Sequence, residues 1–113
     1  MEQLLAGLRA AGEPTRLRLL ALLVHSELTV TELTQILRQS QPRVSRHLKL
    51  LCEAGLLERF REGSWVFYRL ASNGSVAELA AVLSGLIPQE DLVIARDLER
   101  LEAVRMSRAE KAA

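Results

Sequence analysis

The 113-residue chain (12.6 kDa) is the size of one domain, with room for a single hydrophobic core. Fifteen Lys and Arg nearly balance fourteen Asp and Glu, and the longest apolar run, Leu19 to Val24, falls far short of the roughly 20 residues a membrane-spanning helix needs. No basic-then-apolar leader opens the chain, and one cysteine, Cys52, can make neither an internal disulfide nor a zinc site alone, so a soluble, reducing, cytoplasmic setting without membrane contact is expected.

Leu (23) and Ala (14) make up about a third of the residues and favour helix. Pro14, Pro42 and Pro88 each precede an apolar-periodic segment, where a first-turn proline loses no hydrogen bond. Thr29–Glu32 and Ser75–Glu78 read as capping boxes. These signals predict helices over about 2–11, 14–24, 30–37, 41–54, 76–86 and 89–109, with Gly12, Gly55 and Gly74 at joints. Between them, Leu56–Arg61 and Trp65–Leu70 flank Glu62-Gly63-Ser64 and read as a β-hairpin, the only strand candidate. It holds all four aromatics. In its second arm Val66, Tyr68 and Leu70 alternate with Phe67 and Arg69. Val66 and Tyr68 are expected to anchor the hairpin on the helices.

Charge is segregated along the chain. From Arg38 to Arg69 seven basic residues face only Glu53, Glu58 and Glu62, while the rest of the chain is net acidic. A basic centre suits a polyanion-facing surface; a solvated mixed surface is the alternative. Within it, Leu33, Ile36 and Leu37 form one apolar stripe, and Val44, Leu48, Leu51 and Cys52 form another on the following helix. Ser40 is placed to cap that second helix. Its opposite side carries Pro42, Ser45, Arg46, Lys49 and Glu53, and its exposed N-terminal edge offers Gln41, Arg43, Ser45 and Arg46 to base edges or phosphates, with Ser40 and Lys49 as further DNA-contact candidates. Two close helices followed by a basic hairpin are the layout of a winged helix-turn-helix, a mainly α fold with a small β-hairpin wing. On the wing, Arg59, Arg61 and Arg69 are phosphate-contact candidates, with plain strand-surface charge as the alternative. Cys52 reads as core packing rather than as a redox sensor. His25 reads as a helix-exit residue, and the basic tail residues Arg105, Arg108 and Lys111 as partners of a helix dipole. No nucleophile–base pair, paired apolar carboxylates or phosphate loop suggests an enzyme, and no cofactor is indicated.

Four segments carry a family resemblance. Glu13-Pro14-Thr15-Arg16-Leu17-Arg18-Leu19-Leu20, Ser40-Gln41-Pro42-Arg43-Val44-Ser45-Arg46-His47-Leu48, Leu50–Leu57 and Arg61–Leu70 resemble the opening helix, recognition helix, helix exit and wing of the ArsR/SmtB bacterial regulators. The resemblance runs from about residue 3 to 71 and is less specific beyond. It implies a single winged-helix domain over 1–113, with the helix-turn-helix at about 30–54, the wing at about 56–70 and dimerisation helices at about 76–109. It further implies a homodimeric repressor binding double-stranded DNA at a pseudo-palindromic operator. First and last helices would then pair through residues such as Leu4, Leu5, Leu8, Leu98 and Leu101. It also places a histidine at position 47, with either a phosphate contact or a structural hydrogen bond as its role. Metal-sensing members carry a Cys-x-Cys pair where this chain has Thr29 and Thr31. Their other site uses Asp and His on the last helix; Asp91 and Asp97 are present, but no histidine follows His47. A regulator that does not respond to metal is expected, with any small-molecule effector unidentified. The tail from Ala95 to Arg105 also resembles the link into S-adenosylmethionine-dependent methyltransferase domains of fused members, so a regulatory domain of such a fusion is an alternative. A winged-helix protein-interaction module without DNA binding is the other.

Overall fold

The structure, a computed structural model, describes residues 1–112. Among these residues are six helices, α1 (Glu2–Ala11), α2 (Pro14–Leu23), α3 (Val30–Leu37), α4 (Gln41–Glu53), α5 (Ala77–Leu86) and α6 (Leu92–Ala112), and a small antiparallel sheet of β1 (Leu28–Thr29), β2 (Leu57–Glu62) and β3 (Trp65–Leu70). This is the expected winged helix-turn-helix. None of the described helices is long and apolar enough to cross a membrane.

Local chemistry explains the helix starts around the helix-turn-helix. Glu13 caps α2 by accepting from the Arg16 N–H, and Pro14 fills the first position. Thr29 and Glu32 form the predicted capping box of α3, with the Thr29 N–H donating to Glu32 Oε1 at 3.0 Å. The chain leaves α3 through Arg38, held left-handed at φ 56°, and Ser40 then caps α4. Leu33, Ile36, Val44, Leu48 and Leu51 meet Leu19, Leu20, Leu22, Leu28 and Leu56 in one core. Burial of each such leucine is worth about 1.5–3 kcal/mol, which locks α4 in orientation. Cys52 packs half-buried against that core, and burial pushes its thiol pKa up, which makes it a poor thiolate.

Three expectations are corrected. The hairpin is not the only strand structure, because β1 pairs with the far side of β3 (Leu28 with Tyr68, Thr29 with Phe67) and places β3 in the centre. The Ser75–Glu78 box does not form: α5 begins after Val76 without a side-chain cap, and the Ser75 hydroxyl donates instead to Gln3 Oε1. The last helix starts at Leu92 rather than 89, since Asp91 Oδ1 accepts from the N–H groups of Val93 (3.0 Å) and Ile94 (3.3 Å), leaving Pro88 in the preceding linker.

Candidate nucleic-acid interface

With Val44, Leu48 and Leu51 buried, the 3.6-residue period turns the remaining side of α4 outward. Gln41, Arg43, Arg46 and Lys49 are exposed there, Ser45 is half-buried beside them, and Ser40 is engaged in the cap. His47 departs from this group. Its ring is 15% exposed and turned toward α2, with Nδ1 3.1 Å from Arg16 Nη1 and 3.7 Å from a Glu13 carboxylate oxygen. Burial lowers its pKa; Glu13 opposes the fall and Arg16, Arg43 and Arg46 add to it. The neutral ring accepts a hydrogen bond from Arg16, whose Nε donates in turn to the Ala10 carbonyl. His47 thus ties α4 through Arg16 to the α1–α2 corner, not to the preceding helix α3. Burial pushes the Glu13 carboxyl up, but the N–H groups of Arg16 and Thr15 outweigh it and hold its pKa low.

The wing has two chemically distinct faces. Directly opposed residues of an antiparallel pair share a face, so the register groups Leu57, Leu70, Arg59, Tyr68, Arg61 and Val66 together. This face starts in the core at Leu57 and ends at exposed Arg59 and Arg61; Arg59 lies close enough to Cys52 of α4 to lower its thiol pKa somewhat. The other face carries Phe60 and Phe67, stacked with centroids 5.6 Å apart, together with Trp65, Glu58 and Arg69. Arg69 is occupied on that face: its Nε donates to Glu58 at 2.7 Å, Nη1 reaches Glu27 at 3.4 Å, and its guanidinium sits 4.3 Å over the Phe60 ring. The Arg69 hydrogen bond holds the Glu58 carboxyl below its usual range. Of the three wing arginines, Arg69 thus points away from the face of the other two and has a structural partner set.

Leu101 is 3% exposed and belongs to the core, so it offers no free face for a second protomer, while Leu98 packs against that core and stays partly exposed. Leu4, Leu5 and Leu8 of α1 are exposed as expected, and the structure adds exposed Val82 and Leu86 on α5 and Leu92 and Val93 on α6. Arg105 and Arg108 do not serve the helix terminus. Arg105 donates to Ser26 Oγ and the His25 carbonyl, while Arg108 grips the Glu32 carboxylate and donates to the Glu27 carbonyl. Burial pushes the Glu32 carboxyl up, but the bonds from Arg108 and Thr29 outweigh it and hold its pKa low. Asp97 is 1% exposed and bound by Arg18 through Nε (2.7 Å) and Nη2 (2.9 Å), so it is committed to an ion pair. No cluster of three or more His, Cys, Asp or Glu suited to a metal ion occurs among the described residues.

The sequence matches the model of the bacterial regulatory protein, arsR family, over residues 13–59. It is 48% identical over 63 residues to the arsenic resistance transcriptional regulator ArsR1 of Pseudomonas putida, covering 55% of this chain and 49% of that protein. The chain thus spans about half the length of the first curated relatives it matches. Against the biofilm growth-associated repressor of Agrobacterium fabrum the identity is 37% over 87 residues, covering 75% of this chain and 74% of the relative. The fold superposes on the transcriptional repressor BigR from Xylella fastidiosa with a TM-score of 0.69 at 31% identity, over 80% of this chain and 88% of that one. With the exposed polar face of α4, the attached wing and this agreement in sequence and fold, the chain belongs to the arsR family of bacterial regulatory proteins.

Proposed function

We propose that this protein is a homodimeric transcriptional repressor that occludes a pseudo-palindromic operator. The carrying observation is the division of α4 into a core-locked side and an exposed side bearing Gln41, Arg43, Arg46 and Lys49. Seated in a major groove, the N-terminal turns of α4 put Gln41, Arg43 and Arg46 at base edges, and Ser45 and Lys49 at the adjoining backbone. Arg59 and Arg61 extend the phosphate contacts from the wing, whereas Arg69 and His47 act within the protein. The exposed leucines of α1, with Val82 and Leu86 of α5, supply the apolar face for a second protomer. Regulation by a metal ion has no support: Thr29 is used in the α3 cap, hydroxyls are poor ligands for soft metals, and Asp97 is held by Arg18.

The test begins with selection of bound duplexes from a random library, followed by anisotropy titration of the recovered sequence. Arg46→Ala is expected to lose about 1–3 kcal/mol on that sequence, with sedimentation still showing a dimer. Equal binding of the selected duplex by Arg46→Ala and wild type refutes the assignment of the recognition surface.

A further inference from the structure

We propose that the cleft between the wing, the start of α3 and the end of α6 binds a small planar aromatic anion. The cleft has a volume of about 380 Å³, within the usual range of small-molecule sites. Its apolar walls are Trp65 and Phe67 from the wing and Val104 from α6; Thr31, Gln35 and Ser107 bring polar groups to it. Trp65 is 63% exposed and lies on the wing face opposite Arg59 and Arg61, so neither the core nor the proposed phosphate contacts account for it. An exposed indole beside a second ring offers a stacking surface for a flat ligand.

Charge selects the sign of that ligand. Arg108 and Lys111 line the cleft with two positive charges against the single carboxylate of Glu32. Nε and Nη2 of Arg108 are used on Glu32 and the Glu27 carbonyl, which leaves the Nη1 end without a protein acceptor among the described residues. A guanidinium with an unspent N–H edge, 5.7 Å from the centre of the Phe67 ring, suits a carboxylate carried on an aromatic ring. The occupant bridges the wing and the first turn of α3, two parts of the DNA-binding unit, which makes this an effector site. That last consequence rests on the DNA-binding reading; the binding itself does not.

The chain has one tryptophan, so one indole N–H cross-peak in a nitrogen–proton correlation spectrum reports on the cleft. Titration with 1-naphthoate should move that peak saturably. The neutral 1-naphthalenemethanol should bind about tenfold more weakly, for want of a charge-assisted hydrogen bond, and cationic 1-naphthylmethylamine more weakly still. Ser107→Glu, an exposed substitution that adds a negative charge at the cleft, should reduce naphthoate affinity to that of the alcohol while leaving the rest of the spectrum unchanged. A motionless indole peak, equal affinity for the three probes, or naphthoate binding unaffected by Ser107→Glu overturns the site. So does an indole peak that moves on dilution of the protein alone, since a second copy then covers the cleft. For the effector role, saturating naphthoate should change affinity for the selected duplex by at least about threefold in wild type and not in Ser107→Glu. No change refutes that role, while a protein that binds naphthoate but no duplex refutes the DNA-binding reading instead.

Discussion

Replacing Asp97 by asparagine isolates the ion pair that fastens α6 to α2. The carboxylate is 1% exposed, receives two hydrogen bonds from Arg18 and has Arg100 Nη1 at 3.6 Å. The bond to Asp97 is the main reason that the Arg18 guanidinium holds its proton even more tightly than usual. Asparagine keeps the shape but turns one acceptor into a donor and strands a cation whose side chain is only 17% exposed. Breaking such a buried pair costs about 3–5 kcal/mol. The remaining hydrogen bond from Arg18 to the Leu37 carbonyl, 3.2 Å, and its residual exposure favour the lower end. A loss of about 3 kcal/mol corresponds to a fall of about 12 °C in Tm for a domain of this size, read by circular dichroism at pH 7 and one fixed protein concentration. Removing both charges with Arg18→Met and Asp97→Leu should recover most of the loss, because the only cation then short of a partner is Arg100, which is 27% exposed and keeps its bond to the Ile36 carbonyl. The coupling in the double-mutant cycle should reach about 2 kcal/mol. If Asp97→Asn melts within about 3 °C of wild type, or if the two single losses simply add, the pair does not fasten the helix in the way described.

His47 sets a pH dependence of defined sign. Its pKa is lowered in the folded protein, so the unfolded chain takes up the proton first; stability is complete above the ordinary value of about 6.5 and declines as pH falls below it. His47→Gln should flatten the decline in Tm between pH 7 and pH 5.5, leaving the Glu13 contribution, of the same sign, for lower pH. At Gly55, φ is +83° and a Cβ would come within 2.8 Å of Val76 Cγ2. Gly55→Ala should therefore cost more than the roughly 1–2 kcal/mol of left-handed backbone strain alone, measured by urea unfolding. On the wing, Arg59→Ala and Arg61→Ala should each reduce the slope of log affinity against log salt by about 1. Arg69→Ala should leave that slope unchanged in the same anisotropy titration, since Arg69 faces Glu58 and Glu27.

The legible parts of the fold are those written in local chemistry. Thr29 with Glu32, Ser40 with Pro42, and the apolar stripes of α3 and α4 act over three or four residues, and each lies where its pattern places it. The Ser75–Glu78 pattern failed because the chain enters α5 one residue later, with Val76 at the cap position; the Ser75 hydroxyl, outside the helix start, donates to Gln3, 72 residues away in sequence. Strand β1 is two residues long and carries no alternation; only its pairing with β3 defines it. On α6 the inward positions 94, 97, 101, 104 and 108 follow one helical stripe, but Asp97 and Arg108 stand in it as charges and so break its apolar pattern. Their partners, Arg18 and Glu32, are 79 and 76 residues distant. A stripe of this spacing interrupted by opposite charges was a usable signal for buried ion pairs. On the candidate interface, the side of α4 that faces out followed from periodicity, whereas the fates of His47 and Arg69 depended on which neighbours reached them.

The short strand β1 also orders the assembly of the molecule in time. The wing hairpin closes over a two-residue turn and can form within microseconds. Pairing of Thr29 with Phe67 instead closes a loop of 38 sequence positions that contains α3, α4 and the first arm of the hairpin. Its closure entropy must be met before the contact gives anything back. The stitch between β1 and β3 therefore sets after the hairpin, and ahead of the contacts of α6 with α2 and α3, which close loops twice as long.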